Sequence, residues 1–285
     1  MNYFDLHCDT VTSMCDGNES TAITLEKAAE FENYSQQFSI WLSDSCDKSR
    51  AVEKAEEYYA YFEDFKRRFE NSKTKPLLSL ENAISLGDDL KSIDLWKKRG
   101  VRSVTLTWNG ENALGRGASF QSGGLTEFGK AVFRKLQEKE IAVDVSHLNK
   151  DGFLDCLRLA KAPIIATHSN CFSICPHRRN LEDFQIKEIF SLGGIVGVCY
   201  YPLFLGNGDV FELIYEHIYH MLELGGENGA CLGSDFDGAK MDKKLNSLEK
   251  VKSLKSFLSK KGFSEAVLEK VFFGNAENFF NNVLH

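Results

Sequence analysis

Six side chains that can bind a metal ion or carry a proton stand at, or just after, short apolar runs of the sequence. They are His7, Asp9, Glu81, His147, His168 and Asp235. Imidazole and carboxylate groups together suit zinc and similar divalent metals. Each residue alone has an ordinary structural explanation, because strand ends often carry capping acids and hydrogen-bonded histidines. Their common placement is what indicates a metal site.

The number of candidate ligands predicts two metal ions rather than one. Three histidines, one aspartate and one glutamate exceed what a single open tetrahedral site can use, and Glu81 is the natural bridging carboxylate. His7 and Asp9 are two residues apart, so on a strand they share one face and can chelate the same ion, while Cys8 points away. Two neighbouring ions can share a hydroxide and polarise a carbonyl group.

Eight apolar runs must position these residues, and they alternate with segments of helical periodicity. The runs cover residues 3–7, 37–42, 76–80, 102–107, 142–147, 163–168, 194–200 and 230–235. The alternation predicts an α/β fold with parallel strands. Eight units favour a (β/α)8 TIM barrel, with an open doubly wound sheet as the competitor, and residues 263–284 are expected to add helices outside it. In such a barrel, catalytic residues converge at the carboxyl ends of the strands.

The composition is that of a globular protein, with 43% hydrophobic and 26% charged residues in 285. We expect one barrel domain over residues 1–285. A net charge of −7 and the lack of a basic run argue against a nucleic-acid partner. No apolar run reaches the length of a membrane span, and the first residues lack the pattern of a signal peptide. These features predict a cytoplasmic protein with reduced, mostly buried cysteines and no membrane partner.

Other candidate sites are weaker. His217 and His220 share one face of a predicted helix and are expected to form a partly exposed pair. Cys171, Cys175 and His177 lack the spacing of a zinc site. The Gly-x-Ser-x-Gly pattern of a nucleophilic serine does not occur in the sequence.

Six short motifs occur in order along nearly the whole chain. They are residues 4–10 (Phe-Asp-Leu-His-Cys-Asp-Thr), 79–83 (Ser-Leu-Glu-Asn-Ala), 143–147 (Val-Asp-Val-Ser-His), 166–170 (Ala-Thr-His-Ser-Asn), 178–180 (Arg-Arg-Asn) and 233–238 (Gly-Ser-Asp-Phe-Asp-Gly). Together they resemble the motifs of the membrane (renal) dipeptidases, peptidase family M19, a group of metal-dependent amidohydrolase-like barrels. The resemblance implies a zinc-dependent dipeptidase that hydrolyses the peptide bond of dipeptides through a metal-bridging hydroxide.

The resemblance also implies a role for each matching residue. Two Zn²⁺ ions per chain would be held by His7, Asp9, Glu81, His147 and His168, with Glu81 as the bridge. Arg179 would bind the substrate carboxylate, which suits its planar, two-pronged cation. Asp235 would receive the substrate amine or handle the proton of the metal-bound water. Glu81 and Asp235 are therefore the candidate catalytic residues.

The fourth predicted strand departs from the family pattern. Better-known members end it in Thr-His-Asn, with the histidine assigned to polarise the scissile carbonyl, whereas residues 107–109 are Thr-Trp-Asn here. Tryptophan offers only an N–H donor. Either Trp108 shapes the substrate pocket, or Asn109, Asn112 or Arg116 becomes the carbonyl partner. Trp108 and Asn109 are the further candidate substrate-binding residues.

Three other functions stay open at this point. They are a related metal-dependent amidohydrolase acting on another amide or ester, a metal-binding homologue with little turnover, and a sugar-phosphate enzyme on the same barrel. The arginine pair at residues 178–179 favours a small substrate that carries a carboxylate, such as a dipeptide. Residues 206–208 match a phosphate-binding loop poorly. The sequence does not fix the oligomeric state, and a homodimer is one option because dimers are common.

Overall fold

Eight parallel strands form the centre of the protein. The computed structural model describes residues 1–70 and 72–284. The strands are β1 (Asn2–Cys8), β2 (Asn33–Trp41), β3 (Thr74–Glu81), β4 (Val101–Thr105), β5 (Ala142–Asp144), β6 (Ile164–Ile165), β7 (Val196–Val198) and β8 (Ala230–Leu232). Each apolar run predicted as a strand overlaps one of them, although β5 to β8 are shorter than their runs.

Helices fill the segments between the strands. They are α1 (Thr10–Cys15), α2 (Leu25–Ala28), α3 (Lys48–Arg67), α4 (Lys91–Lys98), α5 (Glu127–Glu138), α6 (Lys150–Leu159), α7 (Asp183–Ser191), α8 (Pro202–Leu205), α9 (Val210–Glu223), α10 (Val251–Lys260), α11 (Glu265–Glu269) and α12 (Asn275–Asn278). Side chains cap several of them: Thr126 and Asn149 accept amide protons of the first turns of α5 and α6 at 3.0 and 2.8 Å. Within the described residues, none of these helices has both the length and the apolar content that crossing a bilayer requires.

The strands close into a ring. They pair in the order β6-β5-β4-β3-β2-β1-β8-β7, and every pairing is parallel. A parallel bridge between Ala166, just beyond β6, and Val196 in β7 joins the two ends of this order. The (β/α)8 barrel is therefore confirmed, and the open doubly wound sheet is excluded.

Apolar side chains fill the layer between the strands and the helices. Phe38 of β2 packs against Phe62 and Phe65 of α3, with ring centroids 6.3 and 5.3 Å apart. All three side chains are buried, and burying an aromatic side chain of this kind stabilises the fold by roughly 1.5–3 kcal/mol. Contacts of this kind hold each helix on the outer face of the ring, so the loops that follow the strands are fixed at one rim.

Two buried aspartates hold the strands together near that rim. Asp5 Oδ1 accepts the N–H groups of His7 and Ser234 at 3.2 and 2.8 Å. Asp144 Oδ1 accepts those of Ser146 and Thr167 at 2.9 and 3.1 Å. In both cases the carboxylate binds one amide of its own strand segment and one of the neighbouring segment. The side chains therefore continue the hydrogen bonding beyond the points where β8, β5 and β6 end.

The C-terminal segment closes the other end of the barrel. Asn2, at the start of β1, donates to Glu269 at 3.0 Å, and Asn275 donates to the carbonyl of Ala230, at the start of β8, at 2.8 Å. The apolar side chains of this segment form one cluster with barrel residues: Phe4, Leu6, Ala142, Ile165, Ile195, Cys231, Ala276, Phe279, Phe280 and Leu284. The predicted extra C-terminal helices are present, and they cover the amino ends of the strands.

His217 of α9 is fully buried, so the prediction of a partly exposed pair with His220 is wrong for His217. Its Nδ1 accepts the N–H of Cys171 at 3.1 Å, and its Nε2 lies 3.0 Å from the carbonyl oxygen of Leu205. These partners require a neutral ring that carries its proton on Nε2. His217 thereby ties α8 and the segment after β6 to α9, and burial lowers its pKa to about 4.

Replacing His217 with glutamine should reduce the loss of stability at acid pH. The folded-state pKa of about 4 lies below the ordinary 6.5, so the unfolded chain binds this proton more readily. The stabilisation is therefore complete above pH ~6.5 and is lost as the pH falls towards 4. We expect His217 to lower the free energy of unfolding of the wild type by about 2 kcal/mol between pH 7 and pH 5. The glutamine variant should not show this part of the decrease. Urea unfolding at both pH values measures this, and equal losses in the two proteins would contradict it.

Candidate metal centre

Three acids and one histidine meet at the rim where β1, β3 and β8 end. His7 Nε2 lies 3.2 Å from Glu81 Oε2, 3.5 Å from Asp9 Oδ2 and 3.9 Å from Asp235 Oδ1. His7, Asp9 and Glu81 are all less than a tenth exposed. The predicted pair His7 and Asp9 is thus brought together with Glu81, and Asp235 joins the same group.

The other oxygen of Glu81 faces two further histidines. Glu81 Oε1 lies 2.8 Å from His147 Nε2 and 3.9 Å from His168 Nε2. The two Nε2 atoms are 2.8 Å apart. Glu81 therefore stands between two groups of nitrogen and oxygen atoms, one on each of its carboxylate oxygens. This is the arrangement that a bridging carboxylate between two ions would need.

Left-handed backbone conformations aim several of these side chains. Five non-glycine residues among those described have positive φ, and four lie at this rim: Asn82 (63°), His147 (70°), Asp235 (62°) and Asp237 (66°). Such conformations are unfavourable for residues with a Cβ and persist where the surroundings impose them. The backbone is therefore locally strained at His147 and Asp235, and this conformation turns both side chains towards the cluster.

The outward-facing nitrogens of two histidines are also held. His147 Nδ1 lies 3.0 Å from Asn109 Oδ1, an acceptor, so this nitrogen carries the proton. His168 Nδ1 lies 2.8 Å from the hydroxyl of Thr167. A hydrogen bond to Nδ1 orients the ring and leaves Nε2 with its lone pair. In both residues Nε2 is the atom that faces Glu81.

Burial dominates the electrostatics of the site. It raises the pKa of Asp9 to about 6, with the nearby Glu81 carboxylate adding to the effect, and it raises the pKa of Asp235 to about 8. Burial also lowers the pKa of His147 to about 4 and that of His168 well below its usual value, and the charge of Arg179 acts in the same direction. His147 and His168 are therefore neutral, and Asp9 and Asp235 lack sufficient positive charge around them. Glu81 differs, because despite its burial the nearby His7 lowers the pKa of this carboxyl.

The donor set fits divalent metal ions. Two groups of three buried ligand atoms lie within 4.8 Å of one another, His7-Glu81-His168 and His7-Asp9-Asp235. His7 Nε2 and Asp9 Oδ1 are buried without a hydrogen-bond partner among the described residues. Such orphaned atoms are costly in a protein interior unless a ligand satisfies them. Neutral imidazoles and carboxylates are the ligands that zinc accepts.

A cavity of about 730 Å³ opens over this cluster. Aromatic and polar side chains line it together with the cluster: Thr12, Trp41, Trp108, Asn109, His177, Arg179, Tyr201 and Phe204. Trp41, at the end of β2, packs edge to face against Trp108 with ring centroids 5.3 Å apart. The volume is that of a small-molecule site.

Arg179 reaches the same cavity and is 5% exposed. One Nη atom donates to the carbonyl of His168 at 3.3 Å, and the guanidinium carbon lies 5.3 Å from the ring centre of Phe204. Among the described residues, Nε has no hydrogen-bond partner and no carboxylate pairs with the guanidinium. A buried cation without a counter-charge is unfavourable, so this position suits an anionic group of a bound molecule.

Other predicted residues occupy structural positions. Asn112 donates to Asn82 and to the backbone, and Arg116 pairs with Glu111 at 3.3 Å; neither lines the cavity. Asp237 accepts hydrogen bonds from the Thr10 hydroxyl and from the backbone N–H of Ala22, so it links the loop after β8 to the segment after β1 and does not cap its own turn. Asn112 and Arg116 are therefore not placed to act as carbonyl partners.

Several cavity residues were not predicted. Trp41 ends β2 at the same rim and could have been found by the rule that residues at strand ends converge there. Tyr201 directly precedes α8, and Phe204 lies on it. The types of these residues do not indicate a functional site in the sequence. His177 was considered only with Cys171 and Cys175. Its Nδ1 instead accepts the N–H of Arg179 at 3.2 Å, which supports the loop beneath the guanidinium.

Replacing Gly238 with alanine should weaken metal binding. A Cβ at this position would lie 2.1 Å from Asp9 Oδ2 and 2.6 Å from Asp235 Oδ1, so both carboxylates must move. We expect less metal per chain after purification, measured by mass spectrometry of the elements. Gly274 offers the matched control, because its Cβ would approach Glu269 no closer than 3.5 Å. Equal metal content in both variants would contradict the placement of Asp9 at the metal.

Comparisons with known proteins show the family to which this chain belongs. The family model for membrane dipeptidase, peptidase family M19, matches residues 32–283. A Klebsiella pneumoniae protein described as an uncharacterized protein in the pqqA 5' region is 31% identical over 233 residues, which cover 77% of this chain and 86% of that protein.

Solved structures share the fold. A metallo peptidase from Rhodobacter sphaeroides, liganded with a phosphinate mimic of the dipeptide L-Ala-D-Ala, superposes with a TM-score of 0.92 at 22% identity, covering 99% of each chain. The dipeptidase AC, a metallo peptidase of family M19, superposes with a TM-score of 0.93 at 23% identity, covering 100% of this chain and 99% of the other. The match to the family model over most of the chain establishes that this protein belongs to the membrane dipeptidase family, peptidase family M19, and is a metallopeptidase that hydrolyses peptide bonds.

Proposed function

We propose that this protein is a dipeptidase that uses two zinc ions per chain. The observation that carries the proposal is the buried guanidinium of Arg179, which lacks a carboxylate partner among the described residues and lines the same cavity as the metal-type donor set. A substrate that fits both groups has a free carboxylate close to its scissile bond. A dipeptide meets this requirement, whereas the interior of a long peptide does not.

The donor atoms divide naturally between two ions. His7 and Asp9 would hold one ion, His147 and His168 the other, and Glu81 would contribute one oxygen to each. When bound, two zinc ions supply a hydroxide at neutral pH and a Lewis acid for the scissile carbonyl. The protein's contribution is to keep the imidazoles of His147 and His168 neutral and oriented, which their hydrogen-bond partners support.

Arg179 and Asp235 would act on the two ends of the substrate. The guanidinium binds the C-terminal carboxylate by charge-assisted hydrogen bonds. Asp235 Oδ2 is contacted by the thiol of Cys199 at 3.7 Å, and Oδ1 faces His7. Burial raises the pKa of Asp235 to about 8, which supports a role for this carboxyl in carrying a proton. We assign Asp235 either to receive the substrate amine or to take the proton of the attacking water and pass it to the leaving amine.

Trp108 would exclude water rather than donate a proton. Its indole packs on Trp41, and its ring centre lies 6.1 Å from that of His147. An apolar wall beside the reacting carbonyl strengthens the electrostatic interactions inside the cavity. Asn109 binds His147 through its Oδ1, so we assign it to support a metal ligand, although it also lines the cavity.

We also propose that residues 1–285 form a single hydrolase domain. All eight strands belong to one sheet, and the C-terminal segment packs on the amino ends of the same strands. The expected partner is a small peptide bound within the cavity. A small peptide that binds within a cavity does not require an extended positively charged surface on the protein. The net charge of −7 is consistent with such a substrate.

Removal of the metal should abolish dipeptide hydrolysis reversibly. We expect about two zinc ions per chain in the purified protein, loss of activity after chelation, and recovery in step with zinc added back. Elemental analysis and a dipeptide panel measured on one sample test this. Two zinc ions without cleavage of any dipeptide would instead indicate another amide substrate, and a chain that binds no metal would remove the basis of the proposal.

Replacing Arg179 with alanine should raise KM and leave the metal content unchanged. Loss of a hydrogen-bonded charge costs ~1.5–3 kcal/mol, which corresponds to roughly a 10- to 100-fold higher KM. A dipeptide with an amidated C-terminus should be a poor substrate for the wild type and should lose little further in the variant. Arg102→Ala is the matched control, because this half-buried arginine contacts the C-terminal segment at the other end of the barrel. A fall in zinc content, or an unchanged preference for the free carboxylate, would contradict the assignment.

A further inference from the structure

The Nδ1 atom of His168 contacts a relay of two buried side chains. It lies 2.8 Å from Thr167 Oγ1, and this hydroxyl in turn donates to Asp144 Oδ2. His168, Thr167 and Asp144 are each no more than 1% exposed. The three side chains come from the ends of two neighbouring strands, β5 and β6, so the relay depends on the pairing of these two strands.

The number of protons available fixes the direction of each hydrogen bond. Asp144 Oδ1 accepts the amide protons of Ser146 and Thr167, and Oδ2 accepts from the hydroxyl of Thr105 at 2.9 Å. The carboxylate is therefore surrounded by donors. Because the Thr167 hydroxyl has a single proton and gives it to Asp144, it can only accept from His168. The Nδ1 atom of His168 then carries the proton, and the lone pair remains on Nε2.

We propose that Thr167 and Asp144 are positioning residues that fix the tautomer and the ring orientation of His168 for metal binding. The proposal rests on the role of His168 as a metal ligand. Hydrogen bonding of this kind to a ligating histidine raises its affinity for the metal, and losing it typically costs about 10- to 100-fold. Neither Thr167 nor Asp144 lines the cavity, so their effect passes through the imidazole.

The two histidines on Glu81 Oε1 are held by different chemistry. His147 Nδ1 donates directly to the neutral amide oxygen of Asn109, which lines the open cavity. His168 Nδ1 donates through a hydroxyl to a buried carboxylate. The relay behind His168 is therefore shielded from solvent and carries a negative charge at its far end.

The chain contains its own control for this relay. Thr105 donates to the same oxygen of Asp144 as Thr167 does, and it is likewise buried, at 3% exposure. It makes no hydrogen bond to a histidine among the described residues. Thr105→Val and Thr167→Val therefore remove the same hydroxyl from the same carboxylate, and only the second breaks the contact to His168.

Zinc affinity of the full-length chain tests the proposal directly. The metal-free protein is titrated with zinc against a competing chromophoric chelator, and its thermal unfolding is recorded in parallel. We expect Thr167→Val to weaken binding of one zinc ion by about 10- to 100-fold, Thr105→Val to retain wild-type affinity, and Thr167→Ser to restore it. Equal affinity in Thr167→Val and Thr105→Val would overturn the proposal, as would an equal loss in both.

A second measurement does not depend on how well the variants fold. Nitrogen-15 NMR of the histidine rings in the metal-free wild type reports which nitrogen of His168 carries the proton. We expect Nδ1–H, and a ring protonated only on Nε2 would overturn the proposal. Neither measurement involves catalysis, so a wild type that binds zinc through His168 but cleaves no dipeptide would refute the proposed activity and leave this inference standing.

Discussion

The buried carboxylate of Glu81 sets the constraint that the rest of the site must meet. A charge moved into a protein interior costs several kcal/mol unless favourable partners surround it. Glu81 is 3% exposed, and its two oxygens face His7 at 3.2 Å and His147 at 2.8 Å. These histidines arise from opposite sides of the β3 strand in the ring order. The charge of Glu81 is therefore matched only when the curved sheet brings the ends of β1, β3 and β5 to one rim, and divalent cations on both oxygens would complete the match.

The geometry of the rim also depends on two further buried carboxylates, Asp5 and Asp144, which accept hydrogen bonds from backbone amides. Parallel strands near the mouth of a barrel separate as they twist, so their last backbone groups lose partners. Asp5 and Asp144 supply an acceptor at these points, each bonding two amides from adjacent segments. The amides they bind belong to, or directly precede, His7, Asp235, His147 and His168. The hydrogen bonds of Asp5 and Asp144 at the strand ends thus also set the spacing of the candidate metal ligands. The stability of the barrel and the geometry of the candidate metal site therefore depend on the same contacts.

The sequence predicted the parts of this site that depend on local chemistry. Eight apolar runs indicated the strands, and acids and histidines at the ends of five of them indicated where the metal would lie. The sequence could not show that His217 would be buried, because that depends on which face of α9 meets the loops. It also could not show that Asp144 would receive a hydroxyl from β4 and another from the segment after β6, since such contacts exist only once the strands are neighbours. Left-handed backbone at His147 and Asp235 was equally hidden, because neither residue is glycine.

Trp108 stands at a position whose side chain does not support the candidate metal ligands. The family pattern places a histidine there, but none of the contacts that hold His147 or His168 involves the side chain at this position. The indole instead packs on Trp41 and lies beside His147, where it adds apolar surface to the cavity. Electrostatic stabilisation of a developing negative charge grows as water is excluded from its surroundings. Asn109 and the Thr167 relay hold the candidate ligands His147 and His168 from the Nδ1 side of their rings. The part of the cavity wall that Trp108 forms is therefore free to vary. Substrate preference can diverge at this part of the wall.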